Sequence, residues 1–172
     1  MHRKIFYTLA IIVSGLTFGV SQDKKIIVPK DSLYNANIKK STLYGIYIPR
    51  NTQDALSKLI ELTDDEARKK LLTIDENLMA KKLYFGLGRW MEYNWNFAEG
   101  SRFSHFLRTK GLTYPEDMTR FMLITFHRYI RNAALDSDAL ILTISNERTQ
   151  KIKKEQDKMP IISTETKPIT DK

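Results

Sequence analysis

The side chains with most chemistry to offer fall in two neighbouring stretches. The first is Phe85-Gly86-Leu87-Gly88-Arg89-Trp90-Met91-Glu92-Tyr93-Asn94-Trp95, and the second is Gly100-Ser101-Arg102-Phe103-Ser104-His105. In the first, Trp90, Asn94 and the segment Tyr93 to Trp95 are candidates for a ligand groove, because an indole N–H and a side-chain amide set orientable polar groups beside apolar surface. Trp90 and Asn94 are four apart, however, and burial on one helix face, with Asn94 hydrogen-bonded to a neighbouring helix terminus, is the simpler reading. In the second, Arg102 is a natural clamp for a carboxylate or phosphate. Its commoner fate is pairing with an acid such as Glu99 or Asp117. Ser101 lacks the strand-to-helix setting of a nucleophile elbow and suits a helix cap better.

Several chemistries find little support. Gly86-x-Gly88 is followed at the third position by Met91 and no strand precedes it, so a phosphate loop is not expected. The glycines each cost about 1 kcal/mol in a helix relative to alanine, and their expected use is to admit another backbone or ring closely. There is no cysteine, and His105 and His127 are not at i, i+4 spacing, so neither a metal site nor a cofactor is expected. For acid–base work Glu92, Glu99, Glu116 and Asp117 are available, each with a ready surface or capping role.

These residues need helices to position them, and the sequence is rich in helix signals. Asn51 or Thr52 can cap a helix carrying Ala55, Leu56, Leu59 and Ile60 on one face. Thr63-Asp64-Asp65-Glu66 has the form of a capping box and opens a short helix to about Leu72. Thr73-Ile74-Asp75-Glu76 repeats that form and opens the longest, central candidate, through Leu83, Leu87 and Met91 toward Phe97. Gly100 ends it, Ser101 caps a helix bearing Phe103, Phe106 and Leu107, and Gly111 stops that one. Pro115-Glu116-Asp117 starts another, whose stripe of Met118, Phe121, Met122, Phe126, Tyr129 and Ile130 makes a core wall.

The ends have a different texture. His2, Arg3 and Lys4 precede an apolar run from Ile5 to Val20, the pattern of a signal peptide over residues 1–21, with cleavage expected before Gln22. Membrane contact would then arise only through this segment if it stayed uncleaved. Residues 22–47 read as an extended linker or small hairpin, with Asn35-Ala36-Asn37 as loop. Residues 48–142 form the helical domain, and residues 143–172 a polar helix and a tail whose Ser, Thr, Pro and Lys content implies disorder from Pro160. Formal net charge is +8 over 172 residues, and +6 once Arg3 and Lys4 leave. The basic run from Arg148 to Lys158 includes Glu155 and Asp157 and lacks interleaved aromatics, so it reads as a solvated helix rather than a nucleic-acid contact.

Phe85-Gly86-Leu87-Gly88-x-Trp90, Asn94-Trp95, Gly100-Ser101-Arg102, Pro115-Glu116-Asp117-Met118 and Arg128-Tyr129-Ile130 occur in one order. Over roughly Ile48 to Asn132 the chain thereby resembles a bacterial family of unknown function with the pattern FGLGxWIRNNW, GSRL, HPDDM and RYL. Tyr93, Phe103 and Tyr114 depart from it, standing where the family tends to have asparagine, leucine and histidine. The resemblance implies one compact helical domain, highlights Trp90, Asn94, Trp95, Ser101, Arg102 and Asp117, and carries no activity.

The expectation is an all-α domain of five to six helices, exported to the periplasm or secreted, without disulfides. Its leading function is non-enzymatic binding of a protein or anionic ligand in a groove near Trp95, Arg102 and His105. The rival is a small envelope hydrolase using Glu92 or Glu99 with His105, which requires those groups to converge. An immunity or inhibitor protein is the third alternative.

Overall fold

The computed structural model describes residues 30–158; the expected signal peptide over residues 1–21 and the tail expected from Pro160 lie outside them. The described chain is mostly helical. Helix α1 (Lys30–Asn37) comes first, so Asn35-Ala36-Asn37 form a last helical turn rather than the expected loop. A two-stranded antiparallel hairpin follows, β1 (Thr42–Leu43) and β2 (Ile46–Tyr47), with Thr42 opposite Tyr47. Its two turn residues, Tyr44 and Gly45, have φ of 50° and 80°. Positive φ at both central positions is what a tight hairpin turn needs to match strand twist.

Helices α2 (Thr52–Leu62) and α3 (Asp65–Leu72) start where the sequence indicates, with a change of capping residue. Asn51 accepts from the Asp54 amide, and Asp64, not Thr63, accepts from the Ala67 amide. Thr63 closes the preceding helix instead, its hydroxyl donating to Leu59 O at 2.7 Å. The same division recurs at the next boundary. Thr73 donates to Lys70 O, and Asp75 takes the Leu78 amide. In each pair the carboxylate serves the N–H groups it best complements and the hydroxyl donates to a carbonyl.

The segment expected as one long central helix is interrupted. Helix α4 (Glu76–Leu83) passes into a π turn at Tyr84–Gly88 and then α5 (Arg89–Asn94), and the Arg89 amide reaches back five residues to Tyr84 O. Next come α6 (Arg102–Thr109), α7 (Pro115–Ile130) and α8 (Ser137–Gln156), the last being the longest. The centre of the fold is α7, buried at ten positions between Asp117 and His127 and packed by α2, α3, α4, α5, α6, α8 and the π turn. Met118, Phe121, Met122 and Phe126 of its predicted stripe are fully buried. Gly88 is where the π turn meets this helix: a Cβ there would lie 2.9 Å from Thr119 Cγ2.

A second cluster of rings fills the end of the bundle. Trp95 meets Phe103 edge-on at 5.4 Å and Trp90 at 5.8 Å, and Phe97 packs on both Trp95 and Phe103. Such tilted and edge-to-face pairs add to the burial of large rings. Helix α8 contributes Leu140, Ile141 and Ile144 to the core, so the sequence boundary at residue 142 falls inside a docked helix, while its distal half is exposed as its composition implies. No helix among the described residues is long and apolar enough to cross a membrane.

Candidate functional site

The residues singled out from sequence do not share one surface. Trp95 and Ser101 are buried in the core, 1% and 0% exposed, so neither can face a ligand. Ser101 caps α6 with a reciprocal bond to Ser104, satisfying amides at a helix start. Trp90 is half-buried against the core. The Asn94 amide donates to Trp90 O in its own helix at 2.9 Å, not to a neighbouring helix terminus.

Arg102 pairs with neither Glu99 nor Asp117. Its Nε donates to Ile48 O at 2.7 Å, and its guanidinium lies 5.1 Å from the Tyr47 ring centre, with Lys58 5.2 Å from that centre as well. Tyr47 in turn donates to Asp54 at 2.8 Å. Burial opposes ionisation of Asp54, but the Arg50 amide, the Tyr47 hydroxyl and the charges of Arg50 and Arg102 outweigh it and hold the carboxyl below its usual range. This network ties the hairpin to α2 and α6, and it leaves Arg102 Nη2 buried without a hydrogen-bond partner.

His105 bonds Tyr34 of α1 through Nδ1 at 2.9 Å. The Tyr34 ring occupies the space where a side chain at Gly100 would stand, and Gly100 has φ of 107°, so glycine is required there twice over. Asp117 is far along the chain in a different setting, held by Arg148 of α8 through bonds of 2.8 and 2.7 Å. Arg148 also lies 4.5 Å over the Tyr114 ring. Its pKa is raised, first by the Asp117 hydrogen bonds, against the opposing effect of burial.

Two clefts open on either side of the helical arm formed by α4, the π turn and α5. The first, of about 820 Å³, lies between that arm, the start of α7 and α8, and is lined by Lys81, Tyr84, Phe85, Asp117, Arg148 and Lys151 among others. Burial, then the charges of Glu92 and Glu116, raise the Tyr84 phenol above its ordinary pKa. The second, of about 830 Å³, lies between the hairpin and α5, with Tyr44, Arg89, Glu92, Tyr93, Asn94 and Glu99 in its walls. Arg89 pairs with Glu92 at 3.0 Å. Both sizes suit a small molecule or a partner's side chains.

Three aromatic rings stand almost free on these surfaces: Tyr44, Phe85 and Tyr93 are 81%, 83% and 85% exposed. Phe85, Arg89 and Tyr93 are all exposed along the arm, Phe85 on the first cleft and the other two on the second. Sequence reasoning placed Tyr44 in an extended segment and gave Phe85 no role. The available signal was the Tyr44-Gly45 pair, which marks a turn that projects its first side chain outward. Of the groups in the hydrolase reading, Glu92 and Glu99 line the second cleft, whereas the His105 ring is bonded to Tyr34 and is not among the residues lining it. Gly88 has the close contact expected of it, whereas Gly86 faces open space. No group of three or more His, Cys, Asp or Glu among the described residues could hold a metal ion.

The chain is thus a helical domain wrapped on one buried helix, with two solvent-open clefts flanking a π turn. Residues 48–130 match the family model described as a domain of unknown function, DUF6794. The matched span runs from the end of the hairpin to the end of α7 and leaves α1, the hairpin strands and α8 outside. No curated protein and no solved structure matches the chain significantly.

Proposed function

We propose that this protein is an exported, non-enzymatic module that binds a protein partner in the cleft between the hairpin and α5. The observation that carries this reading is the pair of nearly bare tyrosine rings, Tyr44 and Tyr93, on one cleft beside Arg89. Tyrosine and arginine are the residue types that most often anchor protein interfaces, because each offers a large contact area with a polar end. Tyr44 is held at positive φ, a conformation costly for a residue with a side chain and therefore informative when it displays a ring at a cleft. The signal-peptide pattern of residues 1–21 supports export. An immunity or inhibitor protein is one form this module can take.

The test is a mild pull-down from a cell-envelope extract with the purified protein and its Tyr44→Ala and Tyr93→Ala variants, each first shown to keep the parent's circular dichroism and melting temperature. A partner retained by the parent and lost with either variant supports the module and locates its face. Equal recovery by all three sinks the proposed cleft.

A further inference from the structure

We infer that the other cleft, between the π turn, the start of α7 and α8, is a site for a single-chain anionic amphiphile, with its acid group between Lys81 and Lys151 and its apolar body along Phe85. The reading is independent of the tyrosine cleft. The walls supply an apolar bed: Ala80 and Ile144 are buried at its base, and Phe85 is 83% exposed at its lip. Phe85 meets Tyr84 edge-on at 5.5 Å, so two rings of the π turn form an aromatic lip, and π turns recur where a helix serves a ligand.

The sign of the ligand follows from how the charges in the cleft are spent. Asp117 is held by Arg148 through two hydrogen bonds, Glu147 is paired with Arg120, and Glu116 lies 3.7 Å from Arg148. The lining thus sets four basic side chains, Lys81, Arg120, Arg148 and Lys151, against three acidic ones, with Arg148 shared between Asp117 and Glu116. Lys81, by contrast, makes no ion pair among the described residues, and Lys151 only reaches Glu155 of its own helix at 4.0 Å. These two ammonium groups come from α4 and α8, on opposite walls, and the volume of about 820 Å³ is of the size small-molecule sites have. An acid placed between them gains two charge contacts while its chain covers the aromatic lip.

Calorimetric titration of the purified protein with decanoate, below its micelle-forming concentration, tests the assignment. Decyl maltoside serves as the uncharged counterpart, and vesicles containing phosphatidylglycerol represent a lipid surface. The site predicts one decanoate per chain, at least tenfold weaker binding of the maltoside, and about a fivefold loss for each of Lys81→Ala and Lys151→Ala. Phe85→Ala, at an exposed position, weakens binding as well. Lys69→Ala with Lys70→Ala, on α3, removes two charges, more than either single variant, and leaves binding unchanged. Equal affinity for the uncharged detergent, equal weakening by the α3 pair, binding to the vesicles alone, or no binding of decanoate would each overturn the inference.

Discussion

Arg148 holds Asp117 with two nitrogens, at 2.8 and 2.7 Å, and by doing so fastens the longest helix of the fold to the beginning of its most buried one. Helix α8 has only three buried residues, Leu140, Ile141 and Ile144, all in its first half. The ion pair is one turn further on and fixes where the helix stays docked. Arg148→Ala leaves the Asp117 carboxylate, 9% exposed as a residue, without its partner. The expected loss is about 2 kcal/mol by urea denaturation, with faster amide exchange concentrated in α8.

Gly88 and Gly86 behave oppositely when replaced by alanine. A methyl at 88 collides with Thr119 on α7, whereas at 86 it meets nothing within 4 Å. Gly88→Ala lowers stability by about 1–3 kcal/mol through overpacking. Gly86→Ala leaves it unchanged or raises it by up to about 1 kcal/mol through helix propensity. Thermal melts of the two variants side by side decide the matter.

Trp95→Ala acts on folding, not on recognition. The indole is 1% exposed and touches Trp90, Phe97 and Phe103, so removing it costs about 3–5 kcal/mol. A partner lost with this variant together with its near-ultraviolet circular dichroism would therefore report a collapsed core, while Tyr93→Ala keeps the parent's melting temperature within the range of an ordinary surface change.

Acid weakens the protein partly through Glu76. Hydrogen bonds from Arg128, both 2.9 Å, hold the Glu76 carboxyl below its usual pKa despite its burial. A group with a depressed folded pKa stabilises above its unfolded value, ~4.3, and loses that contribution as pH falls through the folded value. Asp54, also lowered, acts in the same direction. Stability measured in urea from pH 6 down to pH 3 therefore declines, and Glu76→Gln makes the decline shallower by about 1 kcal/mol or less, since both side chains are partly solvated.

Gly100→Ala detaches α1. The new methyl needs the space of the Tyr34 ring and an unfavourable positive φ at once. Limited proteolysis should cut within residues 30–40 in this variant well before it cuts the parent, whereas Tyr34→Ala loosens the same helix without straining the backbone.

The helices of the domain were legible because their signals are local. Asn51, Ser101 and Pro115 mark starts, and the spacing of Met118, Phe121, Met122 and Phe126 marks the buried face of α7. Helix α1 was not legible, since what holds it is one tyrosine slotted over a glycine that lies 66 residues away in sequence. The candidate site was harder still. Trp95 and Tyr93 are two positions apart and chemically alike, yet one is sealed in the core and the other is bare, and only the interrupted winding of the arm decides which. Arg102 looked like a ligand clamp because its partners, a carbonyl at Ile48 and a ring at Tyr47, leave no charge pattern to read.

The π turn carries one residue more than the α-helical path around it, which makes it equivalent to a single-residue insertion absorbed without breaking the rod. Side chains before and after it therefore belong to two windings offset in phase by roughly a hundred degrees. Met79 before the turn and Met91 after it both reach the core on α7, and Phe85 and Tyr93 both reach water. A straight α-helix of the same sequence could keep one half of that arrangement but would rotate the other out of place. The two clefts, separate as they are, owe their orientation to the same extra residue.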